Sequence, residues 1–179
     1  MILQKENKVL RAIAKPVADF HSPGLKTLIS KMAEAMFKEP DGIGIAAPQI
    51  GESLRVFLVS GEVMRLDEKS RPSSKSGFES PKKSDFIPCR DFLVFVNPQI
   101  KKFSVKKNKD VEGCLSVRGF YGEVTRPEKL NVEYFDEAGK KYSRGVSGLF
   151  ARVIQHEVDH LNGALFVDKA KNVRKLKDV

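Results

Sequence analysis

Ser147-Gly148-Leu149-Phe150-Ala151-Arg152-Val153-Ile154-Gln155-His156-Glu157-Val158-Asp159-His160-Leu161-Asn162-Gly163 is the stretch on which the reading of this chain turns. Ser147 is a residue type that caps helices, and Gly163 suits the left-handed position that ends one, so a helix is predicted over about 147–162. Residues four apart on a helix are separated by about 40° and stacked one turn apart, so His156 and His160 can reach the same cation. Glu157 falls beside them, about 100° from His156 and about 60° from His160, close enough to act on a water without being a ligand itself. This is the pattern H-E-x-x-H, two metal ligands and a general base. Of the three histidines in the chain, only His21 lies outside it.

A catalytic metal site takes three protein ligands and keeps a further position open. Downstream of the helix the sequence offers little. Phe166 stands where the pattern H-E-x-x-H-x-x-G-x-x-H needs its third histidine, and no glutamate follows Glu157. The third ligand must therefore come from upstream or be Asp168. Upstream, Cys114 sits in Glu112-Gly113-Cys114-Leu115-Ser116, after a probable strand, and Cys89 lies between Pro88 and Arg90. A thiolate with two imidazoles would leave a divalent ion with a net charge of +1, a softer Lewis acid than an all-histidine site.

Outward from this helix, Ser22 as cap, Pro23 at the first helical position and an apolar stripe of Leu25, Leu28, Ile29, Met32 and Met36 predict an N-terminal helix over about 23–38. A glycine-punctuated segment, Asp41 to Gly51, leads to a strand candidate at Arg55 to Val59. Phe92 to Val96 reads as a buried strand closed by Asn97-Pro98, with patterning resuming from Ile100 to Val105. Asn131–Phe135 and Lys140–Tyr142 flank Asp136-Glu137-Ala138-Gly139, a hairpin signature. Ser60 to Asp91 carries seven Ser and three Pro without helical or strand period, which predicts a long surface loop. No internal repeat or heptad array is present.

The 179 residues are 41% hydrophobic, enough for a core, and 31% charged. Lys and Arg number 32 against 23 Asp and Glu, a net charge of +9, which suggests an anionic neighbour such as a ribonucleoprotein. Two cysteines in a chain of this size fit a reducing compartment. Neither a secretory apolar segment nor a membrane-length apolar run is seen, so a cytoplasmic protein without membrane contact is expected.

Three ordered segments, Gly42-Ile43-Gly44-Ile45-Ala46-Ala47-Pro48-Gln49, Glu112-Gly113-Cys114-Leu115-Ser116 and Gln155-His156-Glu157-Val158-Asp159-His160, resemble the signature motifs of the peptide deformylases. The likeness extends to Leu10-Arg11 through Pro16-Val17, Gly122 to Pro127 and Leu165 to Asp168, leaving out the 60–91 stretch. With the element pattern, it implies an α+β fold: one compact domain over 1–179, mostly antiparallel sheets around the central metal-binding helix, with a basic C-terminal tail at 169–179.

The resemblance further implies hydrolysis of the N-formyl group from the initiator formylmethionine of nascent polypeptides. It assigns Cys114, His156 and His160 to one divalent metal per chain, Fe(II) natively, with Zn, Ni or Co as substitutes. Glu157 becomes the acid/base, while Gln49 and the backbone N–H of Leu115 donate to the oxyanion. The substrate backbone is expected along Gly44, with Ile43, Leu149 and Val153 lining the methionine pocket. Glu112, Arg126 and Asp159 are candidates for a charged shell around the ligands. Two positions depart from the family: Arg118, often proline, and Arg152, often apolar.

Two other readings compete. A zincin-type endopeptidase would require a third ligand downstream of a kind this chain lacks. An RNA-binding module would need its basic residues concentrated with aromatics on one face, yet they scatter. Only Lys169 to Lys177 clusters, with five basic residues and no acidic one, and it is the expected point of ribosome contact. Direct DNA binding is not expected.

Overall fold

A computed structural model describes residues 1–70 and 92–175, with side chains left out at 66–70. Helix α1 spans Pro23–Phe37, and Ser22 caps it as expected, its hydroxyl accepting from Gly24 N at 3.2 Å. Strands β1 (Gly44–Ala46) and β2 (Val56–Ser60) follow, then α2 (Gly61–Ser70). Next come β3 (Phe92–Phe103), β4 (Lys107–Glu112), β5 (Phe120–Pro127), β6 (Lys129–Phe135) and β7 (Lys141–Ser147). Helix α3 (Gly148–Leu161) and β8 (Lys171–Lys175) complete the described residues. The fold is α+β, with a five-stranded sheet in the order β1-β2-β3-β6-β7 and a three-stranded sheet β4-β5-β8, every strand pair antiparallel.

The first sheet is covered on both faces, which is why β2 reads as an unbroken apolar run. Phe57 and Val59 point to the side where α3 packs Phe150, Val153, Ile154 and Leu161. Val56 and Leu58 point to the other side, against Leu25, Leu28, Ile29, Met32 and Met36 of α1. Such alternation follows from the period of two along a strand. Helix α3 also touches the second sheet, where Gln155 Nε2 donates to Pro127 O at 3.0 Å and Arg152 Nη1 to Val124 O at 3.0 Å. A third apolar cluster, Leu10, Val117, Val124, Leu165 and Phe166, fills the space beneath β5. The metal-motif helix is thus held by both sheets and is almost wholly buried.

Four expectations need correction. Asn97-Pro98 does not close a strand, because Asn97 adopts a left-handed φ of 49° and β3 continues through a register shift between Val96 and Gln99. The Asn97 amide secures the bulge by bonding both Val17 N and Val17 O, at 2.8 and 2.9 Å. The expected loop at 60–91 begins instead as the end of β2 and helix α2, which buries Val63 and Met64; residues 71–91, with Cys89, lie outside those described. The basic tail is not a tail as far as Lys175, since Lys171–Lys175 pair with β5 as an edge strand. Ser147 occupies the cap position of α3 in an extended conformation, but its hydroxyl makes no capping bond. Gly163 does end α3 at a φ of 74°, and a Cβ there would sit 2.6 Å from Arg11 O.

Candidate active site

Cys114 lies two residues past β4 and faces the middle of α3. One ligand atom from each of Cys114, His156 and His160 lies within 4.8 Å of the others. Cys114 Sγ and His160 Nε2 are 3.2 Å apart, close to the roughly 3.5 Å that two ligands on one tetrahedral cation take. Asp168, the downstream alternative, is held elsewhere: its carboxylate pairs with Arg11 at 2.5 Å and accepts from Leu165 N at 2.8 Å. The chemistry of the donors, one thiol and two imidazoles converging at one point, fits a single borderline-soft divalent ion.

Glu112 organises the surroundings. Its Oε2 lies 3.1 Å from His156 Nδ1, and its carboxylate accepts from Arg126 Nε and Nη2 at 2.6 and 2.8 Å and from Arg152 Nη1 at 2.6 Å. Arg126 reaches on to Asp159 at 2.9 Å, and Asp159 pairs with Lys169. Glu112, Arg126 and Asp159 therefore do meet as a shell, with His156 oriented by the Glu112 carboxylate. Burial pushes Glu112 up, but hydrogen bonds and charge from Arg126 and His156 outweigh it and hold it well below the usual carboxylate range. Sequence reasoning missed the part played by Arg152, whose partners sit on β4 and β5. A charged residue on the buried stripe of an amphipathic helix was the available signal.

The two imidazoles are driven apart. Burial lowers both, yet hydrogen bonds to Cys114 and Glu112 carry His156 well above its ordinary value, while the nearby charge of His156 adds to burial and takes His160 well below. Glu157 is 3% exposed, and burial raises its carboxyl to about 7 against the opposing charges of His156 and Arg126. Its Oε2 is buried with no hydrogen-bond partner among the described residues, as is His160 Nδ1. Gly44 accounts for how close the glycine segment comes: a Cβ there would lie 2.5 Å from Glu157 Oε1 and 3.1 Å from Val153 Cγ1. Gln49 is locked in place, its Oε1 accepting from Ala46 N at 2.8 Å and its Nε2 donating to Ser116 Oγ at 3.1 Å and facing Cys114 Sγ at 3.7 Å.

These groups open onto a cleft of about 230 Å³. Gln49, Cys114, Leu115, His156 and Glu157 border it, and so do Ile43, Gly44, Leu149 and Val153. Tyr121 also lines it, and so do Asp41 and Val111, which carried no motif signal. Arg118 stays outside and pairs with Glu39 at 2.6 Å.

An acidic side chain beside a Cys/His/His cluster, bordering a cleft with apolar walls, is the arrangement of a metal-dependent hydrolase. The family model described as "Polypeptide deformylase" matches residues 1–176. Peptide deformylase 1 of Pseudomonas syringae pv. tomato is 40% identical over 175 residues, covering 97% of this chain and 88% of that protein. The Brucella suis peptide deformylase is 38% identical over 169 residues, covering 94% of this chain and 81% of its own. Among solved structures, a peptide deformylase from Legionella pneumophila superposes with a TM-score of 0.76 at 37% identity, over 96% of this chain and 86% of that one. The chain belongs to the peptide deformylase family. Its reaction is the hydrolysis of the N-formyl group from nascent formylated polypeptides, releasing formate.

Proposed function

We propose that Cys114, His156 and His160 hold the metal and that Glu157, Gln49 and Leu115 carry the chemistry. The observation that supports this most directly is the convergence of one thiol and two imidazoles at a cleft where Glu157 has an oxygen without a partner among the described residues. When bound, a divalent ion acidifies water and polarises the formyl oxygen. Glu157 takes a proton from the attacking water and returns it to the departing amine nitrogen, which leaves as the new chain terminus. Gln49 Nε2 and the Leu115 N–H donate to the oxyanion; Gln49 is fixed for this by Ala46 and Ser116. Glu112 keeps His156 facing its ligand position, and the Glu112–Arg126–Asp159 chain anchors that carboxylate to α3. Ile43, Leu149 and Val153 receive the methionine side chain, with the substrate backbone along Gly44.

Fe(II) is the native metal in this reading, with zinc, nickel or cobalt as replacements, and residues 1–179 form one metallohydrolase domain of the cytoplasm. No helix among the described residues is long and apolar enough to cross a membrane. Metal analysis of anaerobically purified protein, paired with formate release from formyl-Met-Ala, tests the site. About one iron per chain tracking activity is expected, and zinc at that stoichiometry with full activity would remove iron from the reading.

Ribosome contact runs through the exposed edge of β8, where Lys171, Arg174 and Lys175 project in place of a free tail. Deleting the segment would strip a strand, so charge reversal of these three residues is the cleaner test. Salt-sensitive co-sedimentation with ribosomes should be lost in the reversed variant, and its persistence would exclude this surface.

A further inference from the structure

Arg152 is the one guanidinium that lines the cleft among the described residues, and its side chain is 7% exposed. It lies one turn before His156 on α3, next to Val153 and near Leu149 along the same cleft. Both terminal nitrogens are fully engaged. Nη1 donates to Glu112 Oε1 at 2.6 Å and Val124 O at 3.0 Å, and Nη2 to Asn108 Oδ1 at 2.7 Å and Asn108 O at 3.2 Å. A guanidinium has five N–H donors, so four are used and only Nε–H lacks a partner among the described residues. With its tip held by β4 and β5, the length of Arg152 left to line the cleft is its aliphatic stem up to Nε–H.

A pocket wall built this way discriminates. A hydrocarbon side chain filling it would strip water from Nε–H and return nothing, a cost that falls on any buried unpaired donor. A carboxylate would meet Glu112, which borders the same cleft and already neutralises Arg152. A neutral, flexible chain with a weak acceptor near its end suits both constraints, and the thioether of methionine is such a group. We propose that Arg152 is a specificity-determining residue whose Nε–H reads the sulfur of the formylmethionine side chain. The inference rests on the reading that this cleft, between Ile43, Leu149 and Val153, receives that side chain.

Norleucine is the matching probe, having the same length with a methylene in place of sulfur. The experiment compares kcat/KM for formyl-Met-Ala and formyl-norleucyl-Ala on metal-loaded wild type, Arg152→Lys and Leu149→Trp. Wild type should favour methionine about three- to tenfold, the size of one net hydrogen bond. Lysine keeps a cation for Glu112 but places a methylene where arginine has Nε, so the preference should fall to about onefold. Any loss of folding or metal lowers both substrates alike and leaves the ratio intact. An unchanged ratio in Arg152→Lys, or no preference in wild type, overturns the proposal. Leu149→Trp should raise KM for both substrates with the ratio kept; unaltered kinetics there would show instead that the cleft assignment underneath is wrong.

Discussion

Glu157→Gln enzyme, loaded with metal to the wild-type stoichiometry, is expected to release formate about 10²- to 10⁴-fold more slowly. The substitution keeps shape and burial. It removes only the capacity to accept and return a proton, and the two carboxylates nearest the ligand cluster are already committed: Glu112 to two arginines and His156, and Asp159 to Arg126 and Lys169. Formate release measured beside metal content decides the matter. A Glu157→Gln enzyme with full metal and near-normal turnover would reduce Glu157 to a packing role against Gly44.

Glu112→Ala is expected to cost the most stability. It would leave Arg126 and Arg152, with side chains only 4% and 7% exposed, short of their common counter-charge. Breaking a buried pair from one side typically costs about 3–5 kcal/mol, which for a chain of this length lowers Tm by roughly 6–20 °C. The same change frees His156 Nδ1, and losing such a support typically weakens metal binding about 10- to 100-fold. Thermal unfolding and a competitive metal titration read the two effects separately. A Tm within about 2 °C of wild type would mean that Asp159 and the backbone suffice to hold both guanidinium groups.

Local signals made the frame of the molecule legible. Ser22-Pro23 and the apolar stripe placed α1 within a residue of its observed ends, and the spacing of His156, Glu157 and His160 placed the chemistry on α3. What escaped was non-local. Arg152 could not be interpreted because Glu112 and Asn108 reach it from strands about forty residues earlier. The β3 bulge depends on Asn97 bonding Val17, eighty residues away. Helix α2 was hidden by composition, because the Ser- and Pro-rich residues that follow dominate any window in which Val63 and Met64 are weighed. The third metal ligand needed a resemblance to be chosen, since spacing alone left Cys89, Cys114 and Asp168 open.

Strand β1 has only one neighbour in its sheet, so the far edge of Gly44–Ala46 is unpaired by any strand among the described residues. An open edge is a standing hazard in proteins, because it offers a template to any exposed strand of another molecule. Here the edge is three residues long and buried throughout, and its first residue, Gly44, lines the cleft beside Glu157. In the proposed reading a single extended chain end pairs with it at Gly44, while an edge of three residues, with Ala46 N already bonded to Gln49, gives the rim of another sheet little to extend. The enzyme can thus keep an adhesive backbone edge permanently on offer to newly made chains, the most aggregation-prone material it meets, without becoming a nucleus for their assembly.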